Sequence, residues 1–403
     1  MAQSRRPRAD LAYCSDVQHN GRVTLIRAEP PLDARLGALT RAASHDLSCA
    51  CGPSEPRRRG PDGLWIYPAA LPSGKRVPML KVLQSSGCER GCVYCVERLG
   101  GQCDRLTLGS DELASAFVDL HQSNRVFGLF LSSAVRGGPV ATMDRMLATA
   151  EILRGKHRFR GYVHLKVIPG CRPDQVERAM ALATRVSVNM EAPTAAHLAR
   201  IAPGKRFFEQ ILAPMRQIAR AESDGTFARA GQTTQLVVGA AGESDREIAT
   251  SVAWLYGKLK LARVYYSALQ PAAGTPVAGA TPVPFMREHR LYEVDFLLRK
   301  YGFDLGEIGF DERGALPLDV DPKTAWARRH PERFPIELNT APASELVRIP
   351  GVGPRAAKQI LAMRREQRLR SVEALRSACA LWRRAVPYVL LDGSRAERQL
   401  ALF

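Results

Sequence analysis

The spacing of apolar and polar positions changes period again and again along this chain. VPMLKVLQSSG (77–87) is a short apolar run ending in small polar residues, which predicts a buried strand entering a loop. DELASAFVDLHQS (111–123) then has helical spacing, with Asp111 and Glu112 near its start. The same alternation continues. Strands are predicted at 125–138 (RVFGLFLSSAVRGG), 161–170 (GYVHLKVIPG), 185–194 (RVSVNMEAPT), 233–244 (TTQLVVGAAGES) and 262–271 (ARVYYSALQP). Between them lie helices at 142–155, 172–184 and 207–223, the last containing Pro214 as a potential kink, and a further helix starting at Asp245. Strand and helix in strict alternation predict a parallel sheet.

Two strands carry polar residues where a parallel strand is usually apolar on both faces. In SVNMEAPT, Ser187, Asn189 and Glu191 share one face, and Val186, Val188 and Met190 share the other. In GYVHLKVIPG, Tyr162, His164 and Lys166 oppose Val163, Leu165 and Val167. Either these rows look into a barrel lumen, or they are ordinary solvent faces and structural side chains. Gln235 and Tyr265 are further lumen candidates on the later strands.

Composition sharpens this. The chain has 403 residues, which suits two or three domains, and an apolar fraction of 45%, enough for a sizeable core. Its formal net charge is +18, which fits a polyanionic partner, or an Arg-rich composition without one. Nine cysteines, an N-terminus without the apolar stretch of an export signal, and no apolar run of ~18 residues predict a reducing cytoplasm and no membrane span. Three of those thiols are crowded together: GCERGCVYCVER (87–98) holds Cys88, Cys92 and Cys95. Zinc normally takes four ligands, with Cys103 the nearest further thiol; alternatively, three thiolates hold three irons of a [4Fe-4S] cluster and leave the fourth open. Cys49 and Cys51 lie upstream and read as bystanders.

CxxxCxxC with an aromatic residue directly before the last Cys closely resembles the signature of the radical S-adenosylmethionine (SAM) superfamily. The resemblance implies a partial (β/α)6 TIM-like barrel. It also implies a [4Fe-4S] cluster on Cys88, Cys92 and Cys95, and reductive cleavage of SAM to a 5′-deoxyadenosyl radical. It places Tyr94 near the adenine and makes SSAVRGG (132–138) the methionine-binding loop, with Ser133, Gly137 and Gly138. Pro139 stands where the usual form carries an acidic residue. Ser187, Asn189 and Glu191 become a ribose and carboxylate site. Gly239, in GAAGES, belongs to the loop packed on adenine. His164, Lys166, Gln235 and Tyr265 are left as catalytic candidates.

Beyond 276 a loop and a helix (MREHRLYEVDFLLRKYG) form a connector. PASELVRIPGVGPRAAKQILAMRRE (342–366) then reads as helix, tight turn, helix. Gly351 and Gly353 allow a hairpin with exposed amides, the next helix begins at the same point, and Arg355 and Lys358 add charge. From residue 340 onward twelve Arg or Lys stand against five Asp or Glu. This stretch resembles the helix-hairpin-helix motif of DNA-repair proteins, which grips backbone phosphate. The expected organisation is an N-terminal extension (1–77) with a basic loop at SEPRRRGPDG, a barrel (78–275), a helical connector (276–335) and a small all-α helix-hairpin-helix domain (336–403). A HDLSCA-type segment, FLSSAVRGGPVATMDRML, SVNMEAPT, YYSALQP and this hairpin together resemble the radical SAM family described as DNA modification or repair proteins. That likeness implies DNA as partner, a uracil-DNA-glycosylase-like protein alongside, and an electron donor such as flavodoxin or ferredoxin. RNA or protein as substrate, and a DNA-binding scaffold with a structural or redox-sensing cluster, are the competing readings.

Overall fold

The computed structural model describes residues 14–19, 22–27, 29–43, 64, 66–70, 76–101, 103–227 and 230–396, with the backbone path alone at 14–19, 22–27 and 70. The HDLSCACG stretch with Cys49 and Cys51, and the basic loop SEPRRRGPDG, lie outside these residues.

Strands β1 (Cys14–His19) and β2 (Arg22–Arg27) form an antiparallel hairpin. Helix α1 (Leu32–Ala42) follows, and buries Leu36 and Leu39 in the main core. Seven strands, β3 (Ile66–Ala70), β4 (Arg76–Leu83), β5 (Gly128–Ser132), β6 (Val163–Lys166), β7 (Arg185–Ser187), β8 (Gln232–Val238) and β9 (Arg263–Ala268), pair in chain order. β3 is antiparallel to β4, and β4 to β9 are all parallel. Helices fill the crossovers: α2 (Ser110–Gln122), α3 (Gly138–Arg154), α4 (Pro173–Leu182), α5 (Ala195–Ile201), α6 (Ala213–Ser223) and α7 (Asp245–Leu259), with α8 (Phe285–Lys300) after β9. This is the order of a partial (β/α)6 barrel, whose strand C-termini and crossover loops gather at one rim.

Three expectations are adjusted. The strand predicted at 185–194 has ladder pairing only to Ser187. Beyond it the chain stays tied to β8 through Val188 N to Thr233 O (3.2 Å) and Glu191 N to Gln235 O (2.9 Å), and turns at Glu191, which has φ +66°. The helix predicted at 207–223 begins as a π-helix (Phe207–Leu212) and becomes regular at α6, where Pro214 lies in the first turn. The ladder changes register where proline supplies no N–H. The helix expected from 142 starts four residues earlier, directly at the Gly-rich loop, with Gly138 as its left-handed entry point.

An exposed sheet edge invites association, and β9 is an edge. Its alternate amides are sealed from the side. Val264 N donates to Tyr256 Oη (2.8 Å), Tyr266 N to Tyr292 Oη (3.0 Å) and Ala268 N to Glu288 Oε2 (2.8 Å). Burial pushes the Glu288 carboxyl up to about 7, although the Ala268 amide opposes that shift. Tyr256 in turn donates to Asp295, a fully buried carboxylate paired with Arg299.

Residues 336–396 build a second apolar core around Leu338, Leu346, Ile349, Val352, Ile360 and Leu375. Here α9 (Pro322–Arg329) leads to α10 (Ala343–Leu346), α11 (Pro354–Glu366), α12 (Val372–Ala378) and α13 (Trp382–Ala385). Alongside the helices, β10 (Ile336–Glu337), β11 (Val389–Leu391) and β12 (Ser394–Arg395) form a small sheet, an addition to the all-helical expectation. Such two- and three-residue strands carry no readable period. Among the described residues no helix is long and apolar enough to cross a membrane.

Tyr256→Phe removes the hydroxyl shared by Val264 N and Asp295, and leaves both without that partner. It is expected to lower unfolding free energy by about 1–3 kcal/mol, read from the denaturant midpoint.

Candidate cluster and nucleic-acid sites

The three thiols ride on the loop that leaves β4, the first parallel strand. This loop is stitched to the rest of the rim. Glu89 N donates to Val135 O (2.9 Å), Val93 N to Ile201 O (2.9 Å) and Leu99 N to Arg90 O (2.8 Å), while the Arg90 guanidinium reaches Gly204 O. Glu97 is buried and accepts Gly87 N at 2.8 Å. Cys92 is buried and Cys88 and Cys95 are half-buried; Cys92 feels the charge of Cys88, and Cys95 that of both. Burial pushes Cys92 up, and Cys95 up to about 12. The Cys88 sulfur accepts two backbone N–H groups, from Arg90 (3.4 Å) and Val135 (3.3 Å). Amides aimed at sulfur suit a thiolate ligand, whose extra negative charge they offset. Cys103, the fourth thiol of the region, bonds the Glu97 carboxylate and sits by the Gly87 amide.

Behind the thiols lies a buried charge group. Lys205 Nζ is 3.0 Å from Glu191 Oε1, with both side chains about nine-tenths buried. The Tyr94 hydroxyl bonds the same carboxylate, and burial together with Glu191 pushes its pKa well up. Burial alone would lower the Lys205 ammonium, but Glu191 and the charges of Cys92 and Cys95 reverse this and raise it. Tyr94 and Glu191 are thus brought together, 97 positions apart in sequence. Lys205 carried no signal in the sequence beyond an ordinary loop, APGKRF.

The Gly-rich loop follows β5. Gly137 and Gly138 are left-handed (φ +68° and +82°), a conformation that glycine adopts without strain. Their amides donate to the Glu89 carboxylate, at 2.8 and 3.1 Å. These two amide bonds hold the Glu89 carboxyl below its usual range. A carboxylate therefore does stand at this loop, delivered from beside Cys88 rather than from position 139. Ser133 hydroxyl donates to Ala134 O (2.8 Å).

On the inner face of the sheet, register places Lys81, Phe130, His164 and Arg185 side by side across β4 to β7. Lys166, Ser187, Thr233 and Arg263 form the next row, and Gln235 pairs with Tyr265. The opposite residues Val163, Leu165 and Val186 are fully buried in the main core. Lys81 is buried with Nζ 4.8 Å from the Phe130 ring centre, and His164 packs edge-on against the same ring at 4.2 Å. Asn189 Nδ2 donates to Gln235 Oε1 at 3.4 Å. Arg263 lies 5.0 Å over the Tyr265 ring. Lys81, alone among apolar neighbours in VPMLKVL, was the detectable signal that the sequence reading passed over.

Gly239, after β8, donates its amide to Glu243, whose other oxygen accepts Ala241 N at 3.0 Å; the loop closes on itself. At the hairpin, Gly351 has φ +85°, and a Cβ there would sit 2.7 Å from Leu381 O. The amides of Gly351, Gly353, Arg355 and Ala356 donate to no acceptor among the described residues. Arg355 and Lys358 are exposed beside them. Next to Pro350 a cleft of about 510 Å³ opens between α8, α9 and α13, with Arg328, Arg383 and Arg384 facing Asp319 and Asp321. Among the described residues no group of three His, Cys, Asp or Glu side chains is gathered as a single metal ion would need.

A model of the helix-hairpin-helix motif matches residues 333–379. Among solved structures, the chain is similar to a crystal structure of HydG, a maturase of the [FeFe]-hydrogenase (12% identity, TM-score 0.44, covering 54% of this chain and 49% of that one). It is also similar to HydG from Carboxydothermus hydrogenoformans (13%, 0.43, 55% and 51%). A third likeness is to a radical SAM methyltransferase from Sphaerobacter thermophilus (16%, 0.42, 57% and 73%). The chain thus spans about half the length of the two maturases. No curated protein matches it. The fold class rests on the strand order described above, not on these likenesses.

Lys205→Met strips the buried Glu191 carboxylate of its ammonium. A loss of about 3–5 kcal/mol in unfolding free energy is expected, measured by denaturant titration, with Glu191→Gln in the same background restoring part of it.

Proposed function

We propose that this chain is a radical SAM enzyme acting on a nucleotide of DNA. The observation that carries the reading is the triplet Cys88, Cys92 and Cys95 on the loop after the first parallel strand, with two backbone amides aimed at the Cys88 sulfur. Three thiolates, amide donors to sulfur and a nearby lysine suit a [4Fe-4S] cluster with one iron open to SAM. When bound, that pair supplies one-electron cleavage of the sulfonium and a 5′-deoxyadenosyl radical.

The chain's own residues bind and orient. Cys88, Cys92 and Cys95 hold the cluster, and Lys205 offsets the thiolate charge from the buried side. Glu89, tied to Gly137 and Gly138, offers a carboxylate to an ammonium at the rim. Ser133, Ser187, Asn189, Glu191, Tyr94 and Gly239 surround the remaining SAM surface. His164, Lys166, Gln235 and Tyr265 line the inner face, where the substrate would be held away from water. Free amides at Gly351 and Gly353, with Arg355 and Lys358, grip backbone phosphate without reading bases. A paired base does not reach a barrel interior, so the substrate nucleotide is flipped out or single-stranded. A flavodoxin- or ferredoxin-like donor, a uracil-DNA-glycosylase-like partner and a cytoplasmic setting complete the proposal.

After anaerobic reconstitution with iron and sulfide, dithionite and SAM are expected to yield 5′-deoxyadenosine by chromatography. Alanine at Cys88, Cys92 or Cys95 should remove most of the iron. Full iron retention in the triple variant, or no 5′-deoxyadenosine from loaded protein, would sink the reading. For the second site, the Arg355→Ala/Lys358→Ala variant should bind DNA more weakly and lose about 2 units from the slope of log K against log salt. Equal retention on RNA would redirect the substrate assignment.

A further inference from the structure

The inner side of the hairpin holds a lysine that the proposed function does not use. Lys323, in α9, is buried, and its Nζ donates to two carbonyls of one turn: Val347 O at 2.9 Å and Val352 O at 2.6 Å. These carbonyls bracket the hairpin, and Nζ also lies 4.7 Å from the centre of the Tyr301 ring. The Tyr301 hydroxyl backs Gly353, where a Cβ would come within 3.0 Å of it. Burial pushes the Lys323 amine down to about 7, with Asp321 and Cys379 opposing that shift electrostatically. Arg384 lies 3.6 Å from the Asp321 carboxylate. The two inward carbonyls each take an N–H of this amine, and the aromatic face covers its remaining side.

The turn is therefore polarised. Its carbonyls at 347 and 352 point inward to a buried amine, and its amides at 351, 353, 355 and 356 have no acceptor among the described residues. The Val352 carbonyl shares its peptide with the Gly353 N–H, so turning that carbonyl toward Lys323 turns the Gly353 amide the other way; the Val347 carbonyl shares its peptide with Arg348 N–H, which donates to Glu345 O at 2.9 Å. A second tie acts on the same segment. Arg348 Nη2 is 3.2 Å from Glu307 Oε2, and its guanidinium lies 4.4 Å over Phe303.

We propose that Lys323 is a positioning residue for phosphate: a buried hydrogen-bond donor that fixes the Val352–Gly353 peptide plane, so that the Gly353 amide faces outward beside that of Gly351, without itself touching the nucleic acid. It also fastens the hairpin to α9, and so to the connector that shares the barrel's core. The inference rests on the reading of the hairpin as a phosphate grip.

The experiment compares full-length wild type, Lys323→Met and Arg355→Ala/Lys358→Ala on a fluorescent DNA duplex of arbitrary sequence across a salt series, at a temperature where circular dichroism shows each folded. Lys323→Met should bind about tenfold more weakly at every salt concentration with the slope unchanged, since no phosphate contact by a charged side chain is lost. Amide resonances of Gly351 and Gly353 should shift in the same variant. The double variant should instead lose slope. If Lys323→Met binds as tightly as wild type, or loses slope as the double variant does, the positioning role is wrong while the grip stands. If wild type itself is not retained on DNA, the grip fails and the inference with it. Should Lys323→Met not fold, Lys323→Gln, which keeps a donor, is read in the same way, and its unchanged affinity would equally overturn the proposal.

Discussion

The constraint on which the rest depends is the parallel pairing of β4 to β9. Six strands running one way must deliver their exits to one rim, so loops that are distant in sequence meet there. The thiol loop after β4, the glycine loop after β5, the turn at Glu191 beyond β7 and the loop after β8 are neighbours for this reason alone. The helices that return the chain bury the outer face of the sheet, which leaves the inner face free to be polar. That is why Lys81, His164, Lys166 and Arg185 alternate with apolar residues that face the outer core. The same pairing creates an edge at β9, and two tyrosines and a glutamate close it, one to each outward amide.

Charge inside a protein is tolerated only when oxygen or π-electron partners replace water. Two lysines obey this in different ways. Lys205 meets Glu191 at the back of the thiols, so its positive charge is fixed where thiolate charge would gather. Lys323 meets two backbone carbonyls and an aromatic ring, so its donors are spent on the shape of a turn. The first arrangement suits proposed redox chemistry. The second suits the proposed phosphate grip, because turning the Val352 carbonyl inward turns the Gly353 amide outward.

Much of this was legible in advance because it is local. Alternation of periods two and three-and-a-half announced the strands and helices. Where prediction slipped, a local exception was responsible: the left-handed turn at Glu191 that ends β7 early, the π-helix before Pro214, and β10 to β12, which are too short to show any period. The polar row of Ser187, Asn189 and Glu191 was readable, but the partners of its members were not. The Glu191 carboxylate is held by Lys205 and Tyr94, contacts that no local pattern announces.

By itself the sequence determined the element order, the spacing of three thiols on one loop, and the glycine pattern of the hairpin. Each of these is set within a dozen residues, by side-chain period or by the φ that glycine permits. Only the tertiary structure decided that Glu89 lies against Gly137 and Gly138, that Lys205 stands behind Cys92 and Cys95, and that Lys323 closes the hairpin from within. Those pairings depend on strand order, register and which side chains end up buried together. A charged residue in a loop or helix looks the same in sequence whether water or a carbonyl will be its partner. The cost of burying it unpaired is met only once the chain has folded, and that cost selects the partner.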